Sequence, residues 1–207
     1  MSVKHELLEL SPVMPVVVVD EADDAVPVAR ALLAGGLRVI ELTLRTPAAL
    51  DAIERVAAEV PDIVVGAGTV TTPEQAKQAA DAGAAFLVTP GITERVLDAA
   101  FATGLPFLPG ASTVSEAMRL AERGLTALKF FPAEPSGGIP FLKAIAGPLP
   151  QLTFCPTGGI RPETASGYLA LPNVGCVGGT WLAPRDTLAA KDFGRIEELA
   201  RQAATLS

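Results

Sequence analysis

Two kinds of segment alternate along this chain. Short apolar runs rich in β-branched and aromatic residues alternate with longer Ala-rich stretches, which mix apolar and polar residues as amphipathic helices do. The apolar runs predict eight strands, at Val13–Val19, Arg38–Leu44, Ile63–Gly66, Phe86–Val88, Phe107–Leu108, Ala127–Phe131, Leu152–Cys155 and Val174–Val177. The Ala-rich stretches predict a helix after each strand, at Asp23–Ala34, Ala48–Glu59, Pro73–Ala82, Thr93–Thr103, Val114–Arg123, Ile139–Ala146, Pro162–Ala170 and Asp186–Thr205.

Strands that alternate with helices of this length are typical of parallel βαβ units. Eight units within 207 residues predict one domain, an α/β (β/α)8 TIM barrel over residues 1–207, with Met1–Leu10 as an extra N-terminal helix. The rival architecture is a doubly wound open sheet, which usually carries a GxGxxG loop after its first strand. The first predicted strand is followed by Asp20–Asp23 without that loop, so the barrel is favoured.

Composition narrows the functional classes. Apolar residues make up 49% of the chain and charged residues 19%, which is typical of a globular protein with a large core. The net charge of −7 and the aromatic content of 5% disfavour a nucleic-acid partner, because nucleic acids need a basic surface and often aromatic stacking. No apolar run approaches the roughly 18 residues of a membrane span, and the first ten residues lack a signal-peptide core. We expect a cytoplasmic protein with no membrane partner.

Candidate metal ligands are scarce. The two cysteines, Cys155 and Cys176, form no CxxC pair, and His5 is the one histidine. A disulfide framework, a structural zinc site and a Ser-His-Asp triad are therefore all disfavoured, and we expect no metal. We interpret both cysteines as small buried apolar side chains.

The second predicted strand contains polar residues where a barrel strand, buried on both faces, should be apolar. With a period of two, Glu41, Thr43 and Arg45 share one face, and Leu42 and Leu44 share the other. The leucines must face the helices, so the polar face points into the barrel near the C-terminal mouth, where barrel enzymes carry out chemistry. The alternative is a buried structural ion pair between Glu41 and Arg45, which is costly unless it is well satisfied.

One lysine lies inside an apolar strand. Lys129 belongs to the sixth predicted strand, whereas the other four lysines lie on helices or polar segments. An ammonium is expensive to bury, and a neutral amine is a nucleophile toward carbonyl carbons, which is the reactivity that Schiff-base enzymes use. The alternative is that Lys129 only pairs with Glu41.

Three Gly-rich segments are predicted to be turns at the ends of strands. They are Gly66–Thr69, Thr157–Gly159 and Gly178–Thr180, and each combines glycine with a threonine. In barrels, the loops after the seventh and eighth strands often bind phosphate through backbone N–H groups. The last two segments together indicate a phosphate site, although each Gly-Gly pair alone is common in such loops.

Six segments, spread along the predicted strands, combine into a specific set of motifs. They are Glu41–Pro47, Gly66–Val70, Pro90–Gly91, Leu128–Ala133, Pro156–Ile160 and Val177–Leu182. In this order they resemble the 2-keto-3-deoxy-6-phosphogluconate (KDPG) and 4-hydroxy-2-oxoglutarate (KHG) aldolases, and the resemblance covers essentially the whole chain. Thr180 and Thr89 stand where many members have serine, and because the hydroxyl is kept, we expect little effect.

The resemblance implies a homotrimeric class I aldolase of the Entner–Doudoroff pathway. It implies cleavage of KDPG to pyruvate and glyceraldehyde 3-phosphate without a metal or another cofactor. By the same resemblance, Lys129 forms the Schiff base with the keto carbon and Glu41 is the general acid/base. The substrate-binding residues that it implies are Arg45 and Thr69 for the pyruvate carboxylate, Thr157 at the site wall, and Gly158, Gly159, Gly178, Gly179 and Thr180 for the phosphate.

Several alternatives stay open on the sequence. A related pyruvate aldolase could act on 4-hydroxy-2-oxoglutarate or on the galactonate epimer of the phosphorylated substrate. A phosphosugar isomerase would share the glycine segments but would not need Lys129. A catalytically silent barrel that serves as an oligomeric scaffold is disfavoured, because Lys129, Glu41 and Arg45 are all present. A metal-dependent aldolase is disfavoured by the shortage of histidine.

Overall fold

The structure is a computed structural model and describes residues 7–207. Within that range, short strands alternate with helices along the whole chain, as the hydrophobic pattern predicts. The strands are β1 (Val13–Val17), β2 (Val39–Thr43), β3 (Val64–Gly68), β4 (Phe86–Val88), β5 (Phe107–Leu108), β6 (Gly110–Ala111), β7 (Ala127–Phe130), β8 (Thr153–Pro156) and β9 (Val177–Gly179).

The helices that separate these strands begin mostly where the sequence signals place them. Thr72 and Thr113, for example, accept hydrogen bonds from the backbone N–H groups of Gln75 and Glu116, so that both helix starts are capping boxes. The helices are α1 (Ala25–Ala34), α2 (Ala49–Glu59), α3 (Pro73–Asp81), α4 (Glu94–Thr103), α5 (Val114–Glu122), α6 (Gly138–Ala146), α7 (Pro162–Leu169), α8 (Arg185–Ala189) and α9 (Phe193–Ala204). None of the helices in the described range combines the length and the apolar character needed to cross a bilayer.

All strand pairings named here are parallel, and they run around a barrel. One sheet has the order β5-β4-β3-β2-β1-β9, and a second has the order β6-β7-β8. Pro109 connects β5 to β6, and its carbonyl accepts a hydrogen bond from the Lys129 N–H at 2.8 Å. At the other edge, bridges between Phe154 and Val174 and between Thr157 and Gly178 connect β8 to β9. The predicted (β/α)8 architecture is confirmed, with its fifth strand divided into β5 and β6.

The strands bury side chains on two sides, because each strand alternates between the barrel interior and the helix layer. Ile40 and Leu42 of β2 belong to the large cluster that packs under the helices. Val39 of the same strand belongs to a smaller cluster inside the barrel, whose other buried members are Leu7, Leu8, Met14, Phe86, Val88, Leu108, Ala127, Cys155 and Cys176. This inner cluster fills the lower part of the barrel, so the polar interior residues lie above it.

The chain before β1 contributes to that inner cluster. Residues 7–9 are helical, and Leu7 and Leu8 are buried. A Cβ added to Gly175 would lie 2.8 Å from the Cβ of Leu8, which shows how closely this segment packs against the chain that leads into β9. The rest of the predicted helix at Met1–Leu10 lies outside the described residues.

Three boundary predictions are wrong. The last predicted helix, Asp186–Thr205, is two helices, because Lys191 adopts a left-handed backbone conformation (φ +52°) that an α-helix cannot contain. The last strand is β9 (Val177–Gly179) rather than Val174–Val177, so Gly178 and Gly179 lie in a strand and not in a turn. Likewise, Gly66 and Gly68 belong to β3. Only the Thr157–Gly159 segment follows its strand as predicted.

Candidate active site

A buried ion pair lies at the centre of the barrel. The Lys129 Nζ of β7 donates a hydrogen bond to the Glu41 Oε1 of β2 at 3.2 Å, with side chains only 5% and 1% exposed. Glu41 therefore pairs with Lys129 and not with Arg45, which corrects the alternative interpretation of a Glu41–Arg45 pair. Burying two charges costs desolvation free energy, so a buried pair at this position indicates a functional role.

The strand pattern explains why these two side chains meet. Glu41 is two residues after Val39, and Lys129 is two residues after Ala127, so both lie one layer above the inner apolar cluster. The neighbouring strand leaves room for the carboxylate, because a Cβ added to Gly68 would lie 2.1 Å from Glu41 Oε1. Glycine at position 68 thus fixes the place of the Glu41 carboxylate in the barrel.

Replacing Gly68 with alanine is expected to displace Glu41 and to lower both activity and stability. The added methyl group would overlap Glu41 Oε1 and Cγ, and overpacking of this kind costs about 1–3 kcal/mol. Thermal unfolding and steady-state kinetics measured on the same preparation test this. Gly147→Ala is the matched control, because a Cβ there meets nothing within 4 Å. Unchanged kinetics in Gly68→Ala would show that the position of Glu41 is not critical.

Above the ion pair, a cavity of about 240 Å³ opens at the barrel mouth. We call it the mouth cavity. Lys129 lies at its base, and the Phe131 ring lies beside Lys129, with Nζ 5.4 Å from the ring centre. The residues that line it are Val16, Arg45, Lys129, Phe131, Thr157, Gly158, Gly159, Ile160, Gly178 and Thr180. Seven of the ten predicted site residues therefore share one cavity with a lysine at its base.

Arg45 and Thr69 form a second polar group at the mouth. The Arg45 Nε donates to the Thr69 Oγ1 at 3.1 Å. Thr69 directly follows β3 and has a φ of +59°, a conformation that is unusual for a residue with a β-branched side chain. Backbone outliers of this kind cost energy and cluster at functional sites. The guanidinium and the hydroxyl are the donors that suit a carboxylate.

The Thr157–Gly159 turn is held in place by the segment after β7. The N–H groups of Ala133 and Glu134 donate to the carbonyls of Thr157 and Gly158 at 2.8 and 3.0 Å. Gly158 and Gly159 have φ values of +103° and +84°, which glycine adopts without strain. The turn therefore keeps a fixed backbone geometry at the edge of the mouth cavity, as a site that binds an anion through N–H groups requires.

The side chain of Glu134, whose N–H contacts this turn, is itself held by Tyr168. The Tyr168 hydroxyl donates to the Glu134 Oε1 at 2.5 Å. Burial, followed by this hydrogen bond and the negative charge of Glu134, raises the pKa of Tyr168 above its usual range. Tyr168 therefore stays protonated and remains a donor to Glu134 throughout the range in which enzymes operate.

The two glycines of β9 face opposite sides. Gly178 lines the mouth cavity, and a Cβ added there would lie 2.1 Å from the Thr157 Oγ1. Gly179 faces outward, because an added Cβ would lie 2.3 Å from the Trp181 ring. The structure therefore brings Gly178 and Thr180 into the mouth cavity but does not bring the Cα of Gly179 to its wall. Trp181 does not line the mouth cavity. It lines a separate small cavity together with Pro162, Leu199, Gln202, Ala203 and Leu206.

The cysteines belong to the barrel interior beneath the site. Cys155 and Cys176 are each 1% exposed and both belong to the inner apolar cluster, which confirms the interpretation from sequence. The hydrogen bond with Cys155, followed by burial, raises the pKa of the Cys176 thiol well above its ordinary value. Cys176 therefore stays a neutral thiol, and a thiolate nucleophile is not available from it.

Sequence reasoning missed two residues near the site. Phe131 could have been found, because it lies two residues after Lys129 and so shares the interior face of β7 as the strand ends. Arg185 carries no such signal. It begins α8 and reaches the mouth only because the chain folds back after β9, where it lines a cavity that adjoins the mouth cavity.

The arrangement suits carbonyl chemistry. An amine at the base of a cavity can attack a keto carbon, and a carboxylate 3.2 Å away can move the protons that such a reaction requires. Arg45 and Thr69 can hold a carboxylate, while the Gly158 and Gly159 turn offers backbone donors. Among the described residues, no group of three or more His, Cys, Asp or Glu side chains has a metal-binding arrangement.

Comparisons with known proteins agree with this chemistry. The model of the family "KDPG and KHG aldolase" matches residues 4–199. The 2-dehydro-3-deoxy-phosphogluconate aldolase of Pseudoalteromonas atlantica is 52% identical over 96% of this chain and 93% of the relative, and the KHG/KDPG aldolase of Escherichia coli K12 is 53% identical over the same shares. A KDPG aldolase of Legionella pneumophila, solved with pyruvate as a covalent carbinolamine, matches with a TM-score of 0.96 and 45% identity over 99% of both chains. The chain therefore belongs to the KDPG and KHG aldolase family.

Proposed function

We propose that this protein cleaves 2-dehydro-3-deoxy-6-phosphogluconate to pyruvate and D-glyceraldehyde 3-phosphate through a Schiff base on Lys129. The observation that carries the proposal is the buried contact between Lys129 Nζ and Glu41 Oε1 at the base of the mouth cavity. The names of the relatives support the substrate, and the carbinolamine of the Legionella enzyme supports a covalent route.

The reaction begins when Glu41 takes a proton from the Lys129 ammonium and leaves a neutral amine. Nζ then attacks the C2 keto carbon and forms a carbinolamine. Protonation of its hydroxyl by Glu41 releases water and gives an iminium. The cationic iminium can accept electrons. It therefore receives the electron pair of the C3–C4 bond when that bond breaks.

Cleavage and release follow from the same pair of residues. Glu41, directly or through a water molecule, removes the proton of the C4 hydroxyl, the C3–C4 bond breaks, and the aldehyde leaves. The C3–C4 electrons become the double bond of an enamine on Lys129. Protonation of C3 regenerates an iminium, and water hydrolyses it to pyruvate and the free amine.

The rest of the mouth cavity positions the substrate. Arg45 and Thr69 bind the C1 carboxylate, so that C2 lies over Lys129 Nζ. Thr157 lines the wall beside Lys129. The N–H groups of the Gly158 and Gly159 turn, the backbone of Gly178 and the hydroxyl of Thr180 receive the phosphate, whose oxygens accept hydrogen bonds.

Borohydride reduction in the presence of pyruvate tests the covalent route. We expect inactivation and a single peptide, the one that contains Lys129, with the mass of a reduced pyruvate imine. Treatment with a strong chelator before the assay is expected to leave cleavage unchanged. Complete inactivation with an unmodified Lys129 peptide would overturn the Schiff-base assignment.

Activity on 4-hydroxy-2-oxoglutarate is a second candidate, because the Escherichia coli relative is named for both substrates. The imine chemistry is the same for either keto acid. Comparison of kcat/KM for the phosphorylated substrate, its galactonate epimer and 4-hydroxy-2-oxoglutarate on one preparation ranks them. We expect the phosphorylated gluconate to rank first.

We propose that the enzyme is a homotrimer that works in the cytoplasm, where its charged substrate is retained because phosphates cross membranes poorly. Three large apolar side chains are well exposed in the described structure: Phe101 on α4, and Val114 and Met118 on α5. These helices adjoin, since Arg123 pairs with Glu94 and Asp98 of α4. Exposed apolar patches commonly mark contacts between proteins.

Light scattering is expected to give the mass of three chains at micromolar concentration. Met118→Glu places a charge in the apolar patch and is expected to reduce that mass toward one chain. Met118→Leu keeps the patch apolar and is the control. An active single chain in the unmodified protein would refute the trimer.

A further inference from the structure

A second cavity, of about 510 Å³, opens beside the mouth cavity. We call it the side cavity. Its lining residues are Val16, Val18, Arg45, Thr180, Ala183, Pro184 and Arg185. Val16, Arg45 and Thr180 line both cavities, so the two are continuous at the barrel mouth. A ligand attached to Lys129 can therefore extend past Thr180 into the side cavity.

Two arginines line the side cavity in a chain whose net charge is −7. Arg45 donates to Thr69, and within residues 7–207 neither Arg45 nor Arg185 forms an ion pair. Of the other nine arginines, five form ion pairs in the described structure: Arg30, Arg55, Arg123, Arg195 and Arg201. The side cavity thus offers cationic groups with no protein anion bound to them.

Acidic residues also lie near Arg185, but none of those in the described structure forms an ion pair with it. A neighbouring cavity is lined by Asp20, Glu21 and Asp24 together with Arg185 and Lys191. Lys191 Nζ forms an ion pair with Asp24 Oδ1 at 3.3 Å. No carboxylate of the described residues lies within ion-pairing distance of Arg185. Arg185 therefore remains available to a ligand that arrives from the mouth.

We propose that Arg185 is a specificity-determining residue that binds the distal phosphate of the substrate. The inference rests on the proposed function and deepens it. With C1 held at Arg45 and C2 on Lys129, the distal end of a six-carbon acid extends toward Thr180, which borders the side cavity. Neither the Thr157–Gly159 turn nor the Gly178–Thr180 segment contains a cation. A phosphate that carries nearly two negative charges at neutral pH gains from a guanidinium there, because paired N–H donors match its oxygens.

The position of Arg185 favours the longer, phosphorylated substrate. Arg185 lines the side cavity but not the mouth cavity, whereas the pyruvate moiety stays beside Lys129 at the base of the mouth cavity. The distal carboxylate of 4-hydroxy-2-oxoglutarate is attached to a shorter chain and carries one charge. Arg185 therefore contributes more to binding of the phosphorylated acid than to binding of the shorter diacid.

Three single variants test the proposal: Arg185→Ala, Arg185→Lys and Arg161→Ala. Arg161 is the matched control, since it is an exposed arginine next to the Thr157–Gly159 turn in sequence but lines neither cavity. We expect Arg185→Ala to lower kcat/KM for the phosphorylated substrate about 10- to 100-fold, mostly through KM, as loss of one charge-assisted hydrogen-bonding group does. Arg185→Lys is expected to recover part of the loss, and Arg161→Ala to match the unmodified enzyme.

Two reference measurements separate this inference from the proposed function. Imine trapping by pyruvate reports the catalytic lysine and needs no phosphate, and competition by inorganic phosphate reports the anion site. We expect Arg185→Ala to weaken phosphate inhibition while pyruvate is still trapped. Failure of the unmodified enzyme to trap pyruvate would refute the proposed function. Normal trapping, with equal KM and equal phosphate inhibition in Arg185→Ala and the unmodified enzyme, would overturn the role of Arg185 alone.

Discussion

Replacing Lys129 with arginine is expected to reduce aldol cleavage to background while the barrel stays folded. Arginine keeps a positive charge beside Glu41, so the buried carboxylate retains a partner. The guanidinium stays protonated in proteins and cannot attack a carbonyl carbon. The nucleophile is lost and the charge pair is kept, which separates chemistry from stability. Steady-state kinetics and thermal unfolding of one preparation measure the two effects.

The alanine variant and a distant lysine complete this test. Lys129→Ala is also expected to lose all cleavage, but it leaves Glu41 as an unpaired buried charge, which costs about 3–5 kcal/mol of stability. Lys143→Arg changes an exposed lysine of α6 and is expected to have no effect on turnover. Pyruvate still trapped by borohydride on Lys129→Arg would mean that a different amine forms the imine.

The chemistry of the barrel interior was largely predictable from the sequence. Glu41 and Lys129 are polar residues inside strands that should be apolar, and the period of two places each on the interior face. Their direct pairing across the barrel was not predictable with the same certainty, because Arg45 lies on the same face of the same strand. The structure separates the two possibilities: Arg45 lies higher, where it donates to Thr69 instead.

Turn geometry and chain reversals were less predictable. Glycine is common both in turns and at close contacts inside strands. The sequence therefore predicts turns at Gly68 and Gly178, although these residues make room for the side chains of Glu41 and Thr157. The division of the last predicted helix depends on the left-handed backbone conformation at Lys191. Lysine does not favour that conformation, so the sequence does not predict the break. Arg185 reaches the side cavity because the chain folds back after β9, and no sequence signal marks that fold, which is why its place near the mouth was missed.

Replacing Glu41 with glutamine is expected to reduce turnover by roughly 10²- to 10⁴-fold, the usual contribution of a general acid/base. The amide keeps the shape of the carboxylate above Gly68 but cannot take up and return a proton. The Lys129 amine is still present in this variant, so attack on the keto carbon is expected to survive in part. The steps expected to fail are the proton transfers at C3 and at the C4 hydroxyl, whereas water can serve, more slowly, in the proton transfers of imine formation.

Exchange of the pyruvate methyl protons with deuterated water isolates these steps, because it requires an enamine and repeated proton transfer but neither phosphate nor aldehyde. We expect Glu41→Gln to be trapped by borohydride with pyruvate and yet to exchange at a small fraction of the normal rate. Glu54→Gln, on the exposed face of α2, is the control and is expected to exchange normally. Exchange in Glu41→Gln at the rate of the unmodified enzyme would assign the proton transfer to another group and leave Glu41 only as the charge partner of Lys129.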